Sequence, residues 1–117
     1  MTETEMKQRT KVFALRVIKL ASTLSKDFVG RRLGDQLLRS GTSVAANYRS
    51  ACRARSQADF VNKLAVAEEE ADESALWMEL LIESGLVPLR RLEKLVREAN
   101  ELTAILVASQ RTIKRRR

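Results

Sequence analysis

Histidine is absent from this sequence of 117 residues, and cysteine, proline, tryptophan and tyrosine each occur once. Without an imidazole the chain has no histidine base, no histidine metal ligand and no Ser/His or Cys/His nucleophile pair. No S-x-x-K pair or G-x-S-x-G turn is present, and the four glycines are too dispersed to form a phosphate-cradling loop. We therefore expect a protein that is not an enzyme and that needs no cofactor.

Features of exported or membrane proteins are equally scarce. Cys52 is the single cysteine, so no intrachain disulfide can form and nothing points to an oxidising compartment. The first eleven residues carry mixed charge and lead into no continuous apolar run, unlike a signal peptide or a membrane anchor. We expect a soluble, cytoplasmic protein.

Helix-forming and basic residues are abundant. Hydrophobic residues make up 44% of the chain and aromatic residues only 4%, and the commonest apolar residues are Leu, Ala and Val, which favours helices. A chain of this length closes one modest core, so a single domain is predicted. Lys and Arg number 22 against 15 Asp and Glu, which gives a formal net charge of +7 and is typical of proteins with a polyanionic partner.

Apolar residues recur at helical spacing in four segments, and each segment has one apolar stripe. The four stripes contain Phe13, Leu37, Leu64 and Leu92, respectively. The segment 27–32 interrupts the pattern and contains a glycine, which predicts the first connection there. Ser56 has the spacing of a helix cap, Gly85 can end a helix, and Gly41 lies where a neighbouring helix could approach closely. The predicted helices cover residues 3–25, 32–53 and 56–84, with a fourth from Pro88 through Ile113.

Short connections force consecutive helices to lie antiparallel. The sequence therefore predicts an all-α protein, an antiparallel up-down-up-down four-helix bundle over residues 1–110. Residues 111–117 are predicted to be a basic C-terminal tail, because their composition argues for disorder.

Some apolar residues lie outside the predicted core stripes. On helix three Leu76 and Leu80 lie opposite the stripe with Trp77 at its flank, and on helix one Leu15 and Ile18 leave the stripe. Contiguous exposed apolar surface usually marks an interaction site, so we predict self-association through these five residues. The alternative is that they only widen the buried arc of a crowded helix.

Basic residues cluster on helix two and beyond it. Arg39, Arg49 and Arg53 share the face opposite the apolar stripe, while Arg55 and Lys63 extend the positive charge into helix three. Cations along a rigid surface bind phosphates, so a nucleic-acid site is predicted. The only Tyr and Trp do not interleave with these cations, which favours recognition of shape and phosphate over base stacking. The tail adds Arg111, Lys114, Arg115, Arg116 and Arg117.

The acidic run at residues 68–73 bears on two alternatives. Carboxylates in a helix bundle hold metals, but such sites normally include a Glu-x-x-His motif, which this chain cannot supply, so no metal site is expected. Glu70 and Glu73 could instead pair with a basic residue of a neighbouring helix. In that case some of the arginines would serve as structural partners or as solubilising charge.

Residues 36–85 carry a family resemblance. They read QLLRSGTSVAANYRSACRARSQADFVNKLAVAEEEADESALWMELLIESG and resemble the bacterial four-helix-bundle proteins encoded in intervening sequences of large-subunit ribosomal RNA genes. The similarity extends more loosely over residues 13–105. The segments most like the family pattern are 39–44, 46–47, Phe60 and 70–74.

This resemblance implies an up-and-down four-helix bundle that assembles into a homopentamer, with positively charged surfaces thought to contact nucleic acid. Accessory proteins of diversity-generating retroelements look like the same fold and bind a reverse transcriptase and structured RNA. No catalytic residues transfer. Family members commonly show Asn-Ile-Ala-Glu-Gly where this chain has Asn-Tyr-Arg-Ser-Ala at residues 47–51, so helix two is more basic here.

Two hypotheses about function follow. The first is a non-enzymatic, oligomeric nucleic-acid-binding protein that contacts structured RNA through its basic surface. The alternative is a protein-interaction adaptor that docks a partner enzyme, such as a reverse transcriptase, against the same surface.

Overall fold

Four α-helices form an elongated bundle in a computed structural model, which describes residues 1–116. They are α1 (Glu3–Ala21), α2 (Phe28–Cys52), α3 (Gln57–Glu83) and α4 (Leu89–Arg115). Helix α2 packs on both α1 and α3, α4 packs on α3, and α1 meets α4 over a much smaller interface. The bundle measures 49 × 20 × 19 Å. The predicted all-α up-down-up-down fold is confirmed.

Three residues mark where α3 begins and ends and where α4 begins. The Ser56 hydroxyl accepts a hydrogen bond from the Asp59 N–H at 3.1 Å and caps α3, as predicted. Gly85 has a φ of 82° just after α3, in the left-handed region that glycine occupies without strain. Pro88 follows and caps α4 in an extended conformation. The predicted roles of Ser56 and Gly85 are confirmed.

The first connection differs from the prediction. Helix α1 ends at Ala21 and α2 begins at Phe28, so the connection lies within residues 22–27 and not at 27–32. The physical reason is Asp27, whose carboxylate accepts the Gly30 N–H at 2.7 Å and satisfies the free start of α2. Gly30 therefore sits in the first helical turn instead of breaking the helix.

The predicted apolar stripes meet in one core. Phe13, Leu37, Leu64 and Leu92, one from each helix, are fully buried. Helices α1 and α2 approach closely at Gly41, where a Cβ atom would lie 2.7 Å from Cγ1 of Val17. The close approach predicted at Gly41 is confirmed.

Polar groups fix the register of α2 on α3. Arg39 donates from Nη1 to Glu70 Oε2 at 2.9 Å and from Nη2 to Glu73 Oε1 at 2.6 Å. One residue along, the hydroxyls of Ser40 and Ser74 lie 2.8 Å apart with both side chains buried. Because these contacts join the middle of two antiparallel helices, they hold the pair against sliding.

A second polar contact joins α1 to α4. Arg9 donates from Nε and Nη2 to the two carboxylate oxygens of Glu98 at 2.8 and 2.7 Å, and Nη2 also lies 3.4 Å from Glu101 Oε2. This hydrogen bonding lowers the pKa of Glu98 and raises the pKa of Arg9. This bidentate ion pair stabilises the smallest helix–helix interface of the bundle.

The expectation of disorder from residue 111 onward is wrong for residues 111–115, because α4 is helical through Arg115. Basic side chains at the C-terminal end of a helix interact favourably with its dipole and so are compatible with this last turn. Near that end the Gln57 side chain donates from Nε2 to the Ile113 carbonyl oxygen at 3.2 Å, so the start of α3 and the end of α4 lie together. Across residues 1–116, the helices lack the combination of length and apolar character needed to cross a bilayer.

Candidate nucleic-acid interface

The antiparallel fold gathers cations at one end of the bundle. The C-terminal half of α2 lies beside the N-terminal half of α1 on one side and beside the start of α3 on the other. Two open hollows result, one along each side of α2. We call them the α1–α2 trough and the α2–α3 trough.

The α1–α2 trough has a volume of about 680 Å³. Its cations are Lys7 and Lys11 from α1, Arg49 from α2, and Arg53, which directly follows α2 as its C-cap. The other lining residues carry no charge. Lys7 and Lys11 are four residues apart, so they lie on one face of α1 about 6 Å apart along its axis. The trough is a cationic channel between two helices.

The α2–α3 trough has a volume of about 590 Å³. It shares Arg49 and Arg53 with the first trough and adds Arg55 from the turn and Lys63 from α3. Asp59 also lines it, and its carboxylate lies 3.2 Å from Lys63 Nζ. This trough is therefore less positive than the first.

The arginines shared by the two troughs are available for a ligand. Within residues 1–116, no carboxylate lies within 4.0 Å of the charged nitrogens of Arg49, Arg53, Arg55 or Lys11. Lys7 has only a long contact of 3.8 Å with the exposed Glu3. Exposed cations that are not neutralised internally can bind phosphate oxygens at little cost in desolvation.

Arg39 lies apart from this surface. It is ten residues before Arg49 on α2, about 15 Å along the helix, and its guanidinium is held by Glu70 and Glu73. The predicted pairing of these two acidic residues with a neighbouring helix is confirmed. The structure thus brings together four of the five cations predicted around α2 and separates Arg39 from them.

The basic end of α4 adds charge at the same end of the bundle, because Ile113 contacts the start of α3. Its cations lie at the C-terminus of a helix, where positive charge is favourable. Arg117 lies outside the described residues. The exposed cations here are Arg111, Lys114, Arg115 and Arg116.

Two residues of this surface, Lys7 and Lys11, were not predicted from the sequence. Lys7 and Lys11 reach the α1–α2 trough because α1 runs antiparallel to α2, which places the start of α1 beside the end of α2. Their spacing of four residues was a visible signal of a shared helix face. Combined with the short connection between the first two helices, that spacing could have placed them beside Arg49 and Arg53.

No aromatic residue lines either trough among the described residues. Tyr48, the aromatic residue closest in sequence to Arg49, is buried, and burial raises the pKa of its hydroxyl. Base stacking requires exposed aromatic faces, so this surface is suited to phosphates and sugars and not to unstacked bases.

The apolar residues assigned to self-association divide into two groups. Leu76 and Leu80 of α3 and Leu15 and Ile18 of α1 are exposed, Leu15 most of all at 57%. Trp77 is half-buried and packs against the core, and its indole Nε1 has no hydrogen-bond partner within residues 1–116. In the single chain, therefore, Trp77 belongs to the edge of the core, while the four aliphatic side chains remain uncovered.

Acidic residues do not assemble into a metal centre in the described part of the chain, where no group of three or more Cys, Asp or Glu side chains could hold an ion. Within the acidic run, Glu70 and Glu73 bind Arg39.

The fold and its basic end define a small four-helix-bundle protein with an exposed cationic surface. Over residues 2–108 the chain matches the family described as 23S rRNA-intervening sequence protein, and it belongs to that family. The predicted family is thereby confirmed. The suggested relation to accessory proteins of diversity-generating retroelements stays a prediction.

A solved relative supports the fold independently. The chain is similar to a crystal structure of a protein with unknown function from the S23 ribosomal protein family of Bacteroides thetaiotaomicron, with 37% sequence identity and a TM-score of 0.83. The similarity covers 90% of this chain and 97% of that one. A search of curated proteins gives no match.

Proposed function

We propose that this protein is a non-enzymatic, cytoplasmic nucleic-acid-binding protein that engages structured RNA through the two troughs beside α2. The observation that carries this proposal is the position of Arg49 and Arg53, which line both troughs and have no carboxylate partner among residues 1–116. Neutralising phosphates with such cations releases counterions, so affinity will depend steeply on salt. The +7 net charge of the chain adds long-range attraction to a polyanion.

Electrophoretic mobility of a structured RNA, measured across a salt series, tests the proposal. Changing Arg49 and Arg53 to Gln should weaken binding and reduce the slope of log affinity against log salt by about 2, because two phosphate contacts are lost. The matched control changes Arg31 and Arg90 to Gln, which alters the net charge equally at exposed positions outside the troughs. Absence of a shift at low salt, or equal effects of the two double variants, would count against RNA binding here.

We also propose that the protein is a homo-oligomer, with the pentamer implied by its family as the expected form. The support is the exposed apolar surface of Leu76 and Leu80 on α3 and of Leu15 and Ile18 on α1. Assembly of several copies would multiply the cationic troughs on one particle and so increase avidity for a long polyanion.

An adaptor that docks a partner enzyme, such as a reverse transcriptase, is the competing function. The partner would bind either the exposed leucines or, through an acidic patch of its own, the basic surface. This alternative predicts capture of a protein partner that survives nuclease treatment, together with no mobility shift of RNA at low salt.

A further inference from the structure

We infer that the ligand of this surface is double-helical RNA, whose two strands lie in the α1–α2 and α2–α3 troughs with α2 between them. The inference rests on the proposed function and adds the class of nucleic acid and the way in which it is held. The structural basis is that two cationic troughs flank one helix.

The exposed part of α2 forms a ridge between the troughs. Ala46, Arg49 and Arg53 line both hollows, so they stand on the crest that separates them. Packed helices have axes about 8–10 Å apart, so the troughs run side by side along α2 at a separation of the same order. A ridge with a cationic channel on each side is complementary to a nucleic-acid groove, which has a row of phosphates on each side.

The profile of the ridge favours the wide, shallow minor groove of A-form RNA. Ala46 presents only a methyl group at the crest, and Ala45 and Ser50 beside it are also small, so a backbone can approach closely. A-form RNA displays ribose hydroxyls in that shallow groove, whereas its major groove is too deep and narrow for side chains to enter. Neutral polar side chains in the troughs, Gln8 and Ser50, suit hydrogen bonds to those hydroxyls.

A single strand fits the same surface less well. Sequence-tolerant binding of single strands relies on aromatic faces for stacking, and the described lining of the troughs has none. A single strand would also need only one channel. Duplex binding, in contrast, uses the cations that are particular to each side, Lys7 and Lys11 on one and Arg55 and Lys63 on the other.

These side-specific cations provide the test. One double variant changes Lys7 and Lys11 to Gln, a second changes Arg55 and Lys63 to Gln, and the control changes Arg31 and Arg90 to Gln. The probes are a blunt 20-bp RNA duplex, each of its two strands alone, and the DNA duplex of the same sequence. Circular dichroism at the binding temperature confirms that each variant keeps the helical signal of the wild type.

The expected result is that both trough variants weaken RNA-duplex binding by about tenfold at moderate salt and each lowers the salt slope by about 2, while the control does neither. Single strands and the DNA duplex bind the wild type more weakly than the RNA duplex. The inference would be overturned if single strands, or the DNA duplex, bound as tightly as the RNA duplex. It would also be overturned if either trough variant bound the RNA duplex as tightly as the wild type does. Those results would not contradict the proposal of RNA binding itself, provided that changing Arg49 and Arg53 still weakens binding.

A variant expected to gain affinity tests the α2–α3 trough without removing any positive charge from the protein. Asp59→Asn removes the carboxylate in the lining and releases Lys63 from it. Binding of the RNA duplex should tighten by roughly threefold, and Glu69→Gln, an equal charge change at an exposed site on α3 outside the troughs, should tighten it less. Equal effects of the two variants would show that only net charge matters and would contradict a strand in this trough.

Discussion

Arg39 donates from Nη1 to Oε2 of Glu70 across the α2–α3 interface at 2.9 Å, and the carboxylate it meets is largely buried. Hydrogen bonding to Glu70 is the main reason that the pKa of Arg39 is raised. The guanidinium is therefore engaged within the bundle, although Arg39 lies on the same helix as the exposed Arg49. Two functions of arginine, holding helices together and presenting charge, are separated along α2.

This separation predicts opposite outcomes for two conservative variants. Arg39→Gln should lower the thermal midpoint of unfolding, because it leaves the buried Glu70 carboxylate without its partner, and it should leave RNA affinity nearly unchanged. Arg49→Gln should weaken RNA binding and leave the thermal midpoint of unfolding nearly unchanged. Thermal denaturation and mobility shifts on both proteins check the pair of outcomes, and weaker RNA binding by the folded Arg39→Gln protein would place Arg39 in the interface.

The fold could be read from the sequence because apolar periodicity is a local property of each helix. The stripes containing Phe13, Leu37 and Leu64 predicted the core, and Ser56 and Gly85 marked the limits of α3. The first connection was misplaced because a glycine was weighted above a capping aspartate. Asp27 satisfies the start of α2 and thereby draws Gly30 into the helix.

The candidate site was harder to predict because it depends on how helices lie against one another. A helical wheel places Arg39 on the same face as Arg49, and only the register of α3 shows that Glu70 neutralises Arg39. In the same way, Lys7 and Lys11 enter the α1–α2 trough through the antiparallel pairing of α1 with α2. Periodicity within one segment carries no information about either partner.

Close packing of α1 on α2 predicts that Gly41→Ala destabilises the protein. The new methyl group would lie 2.7 and 2.8 Å from the two Cγ atoms of the fully buried Val17, so the helices must separate. Overpacking of this kind costs about 1–3 kcal/mol, against a gain of up to about 1 kcal/mol in helix propensity. We expect a net loss of about 1–2 kcal/mol in the free energy of unfolding, measured by urea denaturation.

A control and a double variant make this prediction specific. At Gly30 the nearest atom to an added methyl group would be Asp27 Oδ2 at 3.5 Å, an ordinary contact, so Gly30→Ala should be neutral or stabilising. Adding Val17→Ala to Gly41→Ala should cost less than the two single losses together, because the contact that causes strain is removed. Additive losses would contradict the steric explanation.

The pair between Arg9 and Glu98 predicts a pH dependence of stability. Because the pair lowers the pKa of Glu98 in the folded protein below its usual value of 4.5, its stabilisation is fully present above that value. It is lost as the pH falls through the lowered pKa. Removing the pair with Glu98→Gln should cost about 1–2 kcal/mol at pH 7, and the difference from wild type should shrink as the solution becomes more acidic.

Urea denaturation at pH 7 and at several values below 4.5 measures this difference. The matched control is Glu93→Gln, which removes an exposed pair with Arg97 within α4 and should change stability little at any pH. A loss for Glu98→Gln that is the same at every pH would show that the effect comes from packing and not from the ionised pair.

Self-association predicts that charge placed on the exposed face of α3 dissociates the assembly. Leu76 and Leu80 are 47% and 40% exposed in the single chain, so changing both to Glu should leave the core intact. If these positions are buried between copies, each introduced carboxylate would lose its hydration, which is strongly unfavourable.

Sedimentation velocity at micromolar concentration measures the size of the assembly. The wild type should sediment as a multiple of the 13.2 kDa chain, five copies in the expected pentamer, and the double variant as a smaller species. The control Gln36→Glu and Asn100→Glu introduces the same charge at exposed positions of α2 and α4 and should leave the assembly intact, whereas a monomeric wild type would remove the support drawn from the exposed leucines.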